Sequence, residues 1–284
     1  GCAWRLPCYI SGYGLQTMHG RGAAIATGVK VANPELTVWQ ITGDGDCLAI
    51  GGNHFIHSVR RNVDINVLLF NNQIYGLTKG QFSPTSKKGW VTKSSPYGTV
   101  EEPFQPGELT IGAHGTFFGR LLDVDLKSSQ MTMTAAARHK GASIVECLVN
   151  CIIFNDGAHG YLSEKATRED RIVVLEHGKK MIFGKERNKG LVLDGLRLKV
   201  VTIGEDGITE EDILTHDASN PDPALHLMLV RMQAPEFPIA IGVIRDVPAE
   251  TFDHAISNQI AQEQAKSKVK NFDDLVETLE QWEV

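Results

Sequence analysis

Two short polar runs, Gly43-Asp44-Gly45-Asp46 and Asn71-Asn72, bracket a stretch long enough for one helix and one strand. This constrains the fold more than any other feature of the chain. Asp44 and Asn72 lie 28 positions apart. A crossover helix between two parallel strands would return both side chains to the same sheet edge. The pattern fits. Thr37-Val38-Trp39-Gln40-Ile41-Thr42 predicts a buried strand, Cys47 to Arg61 a helix, and Ile65-Asn66-Val67-Leu68-Leu69-Phe70 the next strand. Open α/β sheets bind ligands beyond the carboxyl ends of their strands, where Asp44 and Asn72 fall. A carboxylate and an amide oxygen there suit Mg²⁺, which takes about six oxygen ligands and commonly shares them with phosphates and water. Gly45 lets the backbone approach a phosphate, and the amides opening the next helix favour negative charge. Gly-Asp-Gly alone is an ordinary turn. Its combination with Asn71-Asn72 points to a metal–diphosphate seat.

The neighbouring runs extend the pattern: Ala49-Ile50-Gly51-Gly52-Asn53-His54, Arg60-Arg61-Asn62 and Asn71-Asn72-Gln73-Ile74-Tyr75-Gly76-Leu77-Thr78-Lys79-Gly80-Gln81. Gly1-Cys2, Tyr13-Gly14, His19-Gly20-Arg21 and Asn150-Cys151-Ile152-Ile153-Phe154-Asn155-Asp156-Gly157 complete it. Together they resemble the thiamine-diphosphate half of the 2-oxoacid:ferredoxin oxidoreductases, nearest to β subunits that act on 2-oxoglutarate. The resemblance is specific to about residue 165 and looser beyond. It implies an α/β fold: a mostly parallel sheet flanked by helices, the diphosphate-binding half of the thiamine-diphosphate fold, with a C-terminal extension. Residues 1–165 would form the thiamine diphosphate and Mg²⁺ domain with iron–sulfur ligands, and 166–284 the extension.

The resemblance also implies the site. Mg²⁺ would be held by Asp44, Asn72 and the backbone carbonyl of Ile74. The cofactor would lie against His19, Gly43, Gly45, Asp46 and the turn Gly76-Leu77-Thr78. Cys2 and Cys151 match two of the four thiolates of the family's [4Fe–4S] cluster. The other two belong to a Cys-x-x-Cys pair expected upstream of Gly1. Spacing alone makes all five cysteines small buried apolar groups, a reading that stands for Cys8, Cys47 and Cys147. Arg5 and Lys79 are candidates for binding the distal carboxylate of a dicarboxylic substrate. Capping accounts for His19-Gly20-Arg21 as well as a cofactor role does, and His54 and His57 read as core or capping residues.

The implied reaction is thiamine-dependent oxidative decarboxylation of 2-oxoglutarate to succinyl-CoA and CO₂, reversible, with electrons leaving through the cluster to ferredoxin. Coenzyme A would accept the acyl group. The aminopyrimidine half of the cofactor site would come from a partner α subunit in an (αβ)₂ assembly. Alternatives are a pyruvate or broad 2-oxoacid enzyme, a thiamine decarboxylase or synthase half without a cluster, and a non-catalytic protein that keeps the fold.

Composition narrows the partners. A net charge of −6 argues against a nucleic-acid binder. No apolar run approaches the roughly 20 residues of a spanning helix, and the start lacks a signal-peptide layout, so the expectation is a cytoplasmic protein with no membrane partner. Seven basic residues against Glu186 and Asp194 between Gly178 and Lys199 suit either a docking patch for ferredoxin or coenzyme A, or a solvated face. The Ser-, Thr- and Pro-rich stretch 82–112 reads as a long loop, of a length often tied to function. Further predicted elements are helices from Gly20 to Val31 and from a Ser128 cap to Gly141, and a strand from Ser143 to Leu148. Charged helices, a Gly-rich hairpin and a final acidic helix would follow residue 165.

Overall fold

In the computed structural model, parallel pairing of two strands follows directly from the apolar runs flanking Asp44 and Asn72. Residues 2–269 and 271–278 are described, without the side chains of Cys2, Trp4 and Thr278. A 3₁₀ turn (Cys2–Cys8) and an extended segment lead to α1 (Gly22–Ala32) and β1 (Trp39–Gly43). The single helix expected over 47–61 is instead two pieces. A π turn (Asp46–Ile50) precedes α2 (Gly52–Arg60). The Gly51 amide donates to the Asp46 carbonyl at 3.2 Å, and a Cβ on Gly51 would stand 2.4 Å from that oxygen, so the wide turn needs glycine there. π turns of this kind concentrate at functional sites. β2 (Asn66–Asn71) then pairs parallel with β1, Gly43 opposite Phe70.

The predicted loop after β2 contains α3 (Pro106–Gly112), whose Pro sits in the first turn, where no amide donor is needed. β3 (Phe117–Leu122), α4 (Leu126–Arg138) and β4 (Ser143–Leu148) follow. α4 starts earlier than its sequence suggested. Asp125, not Ser128, is the N-cap; its carboxylate accepts the Ser128 amide at 3.2 Å and the Ser128 hydroxyl at 2.6 Å. The helix also ends at Arg138, short of Gly141.

Beyond β4 come α5 (Gly160–Ser163), α6 (Arg168–Arg171) and β5 (Ile172–Leu175). A three-stranded sheet of β6 (Ile182–Phe183), β7 (Lys189–Asp194) and β8 (Arg197–Thr202) contains the anticipated hairpin. α7 (Ala224–Arg231), β9 (Ile239–Asp246), α8 (Phe252–Lys266) and α9 (Phe272–Thr278) complete the described chain; the rest of the expected acidic C-terminal helix, 279–284, lies outside the described residues. The main sheet runs β1-β2-β4-β3-β9-β5 and is parallel except where β9 meets β3. β5 and β9 both lie beyond residue 165. The C-terminal part therefore completes the central sheet instead of standing apart as an extension. Among the described residues, no helix is long and apolar enough to cross a membrane.

Every residue of β3 and β4 is buried, as expected for inner strands covered on both faces. Side chains alternate between two cores: Leu68, Phe117, Leu121 and Val145 pack on one face, and Leu69, Phe118 and Ile144 on the other. One polar pair interrupts this apolar lattice. Arg120 and Glu146 sit opposite each other on β3 and β4, with Nε 2.7 Å from Oε2 and both side chains almost fully buried. Arg120 also donates to the carbonyls of Ala240 and Val230, and Asn71 donates to the other Glu146 oxygen at 2.7 Å.

Removing one partner of a buried pair strands the other charge. Glu146→Ala is therefore expected to lower unfolding stability in denaturant titration by about 3–5 kcal/mol, while Arg120→Met with Glu146→Leu recovers most of that loss. A double variant no better than the single one would show that the pair contributes net stability.

Candidate active site

The carboxyl ends of β1, β2 and β4 open onto a cleft of about 960 Å³. Its wall takes Gly43, Asp44, Gly45 and Asp46 from the loop after β1, and Asn72, Ile74, Gly76, Leu77 and Thr78 from the loop after β2. Cys151 follows β4, while Arg5 and His19 come from the N-terminal segment. The structure thus gathers nearly every sequence-predicted site residue around one space. Among those whose side chains are described, Lys79 is the exception: it is exposed at φ 76° on the turn and lies outside the cleft wall.

Asp44 is 3% exposed. The hydroxyls of Ser83 and Thr85 both donate to its Oδ2 at 2.6 Å. Burial pushes its carboxyl above the ordinary carboxylate range, and the two hydroxyls and the loop's backbone amides oppose that shift. Asn72 Oδ1 accepts the Ile74 amide at 3.2 Å, a local turn that holds the amide oxygen in place. Asn155, beyond β4, ties down the same loop by donating to the Asn72 carbonyl at 2.9 Å. Asp44 and Asn72 thus offer oxygens from loops that leave adjacent strands, and Ile74 adds a backbone carbonyl. This donor set fits a hard cation. Among the described residues, no cluster of three or more His, Cys, Asp or Glu side chains is suited to a metal; the proposed seat has a single carboxylate.

The two aspartates of Gly43-Asp44-Gly45-Asp46 have different tasks. Asp46 accepts from His19 Nδ1, the Gly20 amide and the Thr42 hydroxyl, each at 2.7 Å. Its side chain clasps the His19 segment to the loop, which leaves its backbone as the part able to meet a phosphate. Tyr75 bridges the two loops. Its hydroxyl donates to the Gly45 carbonyl at 2.8 Å, and burial with the nearby carboxylates of Asp44 and Asp46 raises its phenol, keeping that proton on. A Cβ on Gly45 would stand 2.2 Å from the Tyr75 ring. Only glycine fits. The turn after Tyr75 is closed by the Tyr75 amide on the Gln81 carbonyl at 2.9 Å and by a hydrogen bond between the Thr78 and Gln81 side chains.

Cys151 is half-buried on the cleft wall, and Ala3, next to Cys2, lines the same wall. The Cys2 side chain lies outside the described residues. Cys47 and Cys147 are buried as expected, with thiols driven upward by burial, that of Cys147 to about 12. Cys8 is exposed, unlike the buried group expected, because it ends a surface 3₁₀ turn. His54 pairs with Arg21 at 3.0 Å outside the cleft. Sequence reasoning missed Ser83, Thr85, Tyr75 and Asn155. The only signal for the first two was the hydroxyl-rich loop that contains them. In the basic stretch, Lys179, Lys189 and Lys199 meet Glu176, Asp170 and Asp194, and Lys180 bonds two carbonyls, which favours the solvated-face reading.

Comparison with known proteins gives a consistent result. Residues 3–147 match the thiamine pyrophosphate enzyme, C-terminal TPP binding domain family. The chain is 42% identical over 287 aligned residues to 2-oxoglutarate oxidoreductase subunit KorB of Mycobacterium tuberculosis, covering 100% of this chain and 76% of that protein. It is also 42% identical over 156 residues to 2-oxoacid:ferredoxin oxidoreductase 1, subunit beta, of Aeropyrum pernix, covering 55% of this chain and 49% of that subunit. Among solved structures, it superimposes with a TM-score of 0.76 and 26% identity on a chain of the 2-oxoglutarate:ferredoxin oxidoreductase from Magnetococcus marinus, solved with 2-oxoglutarate, coenzyme A and succinyl-CoA bound. That match covers 99% of this chain and 80% of the other.

Two outcomes follow from the cleft. Gly45→Ala must displace the Tyr75 ring, an overpacking expected to cost about 1–3 kcal/mol in thermal unfolding and, if the cleft seats Mg²⁺, to weaken its binding. Tyr75→Ala in that background should restore part of both. Because burial raises the Asp44 carboxyl, a proton would compete there with any cation that it holds. Mg²⁺ affinity measured by calorimetry should fall from neutral to mildly acid pH, and a flat profile would show that Asp44 is not a ligand.

Proposed function

The chain belongs to the β subunits of the 2-oxoacid:ferredoxin oxidoreductases, and from that membership we propose that its cleft seats Mg²⁺ and thiamine diphosphate for the oxidative decarboxylation of 2-oxoglutarate. The enzyme such a subunit serves performs thiamine-dependent oxidation of a 2-oxoacid together with a partner subunit. The observation that carries the finer reading is the convergence of Asp44, Asn72 and Ile74 on one cleft. Asp44 would supply a carboxylate oxygen, Asn72 its amide oxygen and Ile74 its carbonyl, the diphosphate and water completing the shell.

When bound, thiamine diphosphate supplies a carbon nucleophile and an electron sink. The chain's own residues seat and shield it. Gly45 lets the backbone close on the diphosphate, and Tyr75 fixes the separation of the two loops. Leu77 lines the cleft as an apolar wall. Arg5 is an exposed cation on the cleft wall and a suitable partner for the distal carboxylate of 2-oxoglutarate. The exposure of Lys79 suits attraction of the dianion better than a direct contact. Cys2 and Cys151 would give two of the four thiolates of a [4Fe–4S] cluster, which accepts single electrons for ferredoxin, and coenzyme A would take the succinyl group.

An α subunit completes the site in this reading. Tyr9, Leu77, Ile152 and Ile153 all line the cleft yet are 60–76% exposed. An apolar rim of that kind marks a surface meant to be covered by protein. The α subunit, carrying the pyrimidine-binding domain, is the occupant proposed here, in an (αβ)₂ assembly.

The test is ferredoxin reduction by the chain co-purified with its partner, with 2-oxoglutarate and coenzyme A. Asp44→Ala should lose retained thiamine diphosphate and all turnover. Arg5→Ala should raise KM for 2-oxoglutarate by roughly tenfold, the worth of one charged hydrogen bond, while leaving KM for pyruvate near its starting value. Equal effects on both substrates would remove Arg5 from substrate selection; thiamine diphosphate retained by Asp44→Ala would overturn the seat.

A further inference from the structure

The segment 83–86, which supplies the two hydroxyls on Asp44, touches both halves of the site. Ser83 and Thr85 are each 2% exposed, within the long Ser-, Thr- and Pro-rich loop whose length suggested a functional role. Their hydroxyls reach the same oxygen of Asp44, Oδ2, and no side-chain hydrogen bond among the described residues reaches Oδ1. Thr85 Oγ1 also lies 2.9 Å from Asn71 Oδ1, so its one hydroxyl proton is shared between the carboxylate and that amide oxygen. Asn71 in turn donates to Glu146, the partner of Arg120. On the other side, the Ser86 hydroxyl accepts the Ser83 amide at 2.8 Å and donates to the Gln73 carbonyl at 2.6 Å. Gln73 lies between Asn72 and Ile74.

We propose that Ser83 and Thr85 are positioning residues for the divalent cation: they fix the Asp44 carboxylate through one oxygen so that the other faces the metal, and Ser86 locks the Asn72–Ile74 loop at the matching distance. This rests on the reading of the cleft as a cation seat. A buried carboxylate needs hydrogen-bond donors whether or not it binds a metal, and satisfying it is the competing role for these hydroxyls. The two roles differ in their pattern. Both hydroxyls crowd one oxygen, so the second meets no side-chain donor among the described residues and keeps room, beside the loop's own backbone amides, for an outside partner; the same short segment also holds the second ligand loop. A loop that only covered Asp44 would have no reason to be tied to Gln73. The Arg120–Glu146 pair gives the bracket a rigid base, because Asn71 cannot turn without breaking its bond to Glu146. Residues that hold a ligand in its binding orientation are typically worth 10- to 100-fold in metal affinity.

The test uses the enzyme co-purified with its partner subunit, as wild type and as Thr85→Val, Thr85→Ser and Ser83→Ala. The Mg²⁺ dissociation constant is measured by calorimetry at saturating thiamine diphosphate, with melting temperature and circular dichroism in parallel. Thr85→Val and Ser83→Ala should each weaken Mg²⁺ by about 10- to 100-fold, whereas Thr85→Ser, which keeps the hydroxyl, should stay within about threefold of wild type. Variants that melt lower but bind Mg²⁺ like the wild type would overturn the proposal, leaving the hydroxyls a purely structural role. If Thr85→Val fails to assemble, Ser83→Ala decides the matter alone. A wild-type enzyme that binds no Mg²⁺ with thiamine diphosphate would instead overturn the seat itself, and this inference with it.

Discussion

The site depends on the parallel pairing of β1 with β2. With Gly43 opposite Phe70, the next residues of both strands leave the sheet at the same edge, a few ångströms apart. Asp44 therefore comes level with Asn71, with Asn72 one residue further along the same edge, although a helix and a strand separate them in sequence. A one-residue slip in register would turn Asp44 to the opposite face and separate the two oxygens. Register is held by burial, since Leu68 and Leu69 would exchange cores if β2 slipped by one residue. The same packing that stabilises the domain therefore sets the geometry of the cleft.

Around that pair, neighbouring groups divide the work. Asp44 and Asp46 are two positions apart and chemically identical, yet Asp46 is saturated by His19, Gly20 and Thr42, while among the described residues one Asp44 oxygen has no side-chain partner. Environment, not residue type, decides which one keeps an oxygen open to the cleft. Tyr75 spans both loops, and its fit depends on the missing side chain of Gly45. The N-terminal segment joins the same constellation through His19, and the 83–86 loop through Asp44 and Gln73.

Much of this could be read in the sequence because its determinants are local. The strands on either side of Asp44 and Asn72 show as apolar runs, and their loops as Gly-Asp-Gly and Asn-Asn. The misses share a cause: each turns on a contact the sequence does not signal. Asp125 displaces Ser128 as N-cap because its carboxylate can take two donors at once. The π turn at Asp46–Ile50 is set by the close approach of Gly51 to the Asp46 carbonyl, which helical periodicity does not reveal. Ser83 and Thr85 meet Asp44 from about 40 positions away, in a hydroxyl-rich loop whose sequence does not mark which hydroxyls are buried. β5 and β9 join the central sheet through pairings with no sequence signature, so the boundary near residue 165 looked sharper than it is. The pairing of Arg120 with Glu146 was equally hidden, since nothing along either strand marks its partner.

The most direct measurement is a crystal structure of the assembled enzyme grown with thiamine diphosphate and Mn²⁺ in place of Mg²⁺, the ion located by its anomalous scattering. The account predicts a single peak between the two loops, about 2.0–2.2 Å from one Asp44 carboxylate oxygen and from the Asn72 amide oxygen, with the diphosphate completing its shell. A peak elsewhere, or a cofactor bound with no ion between Asp44 and Asn72, would contradict it.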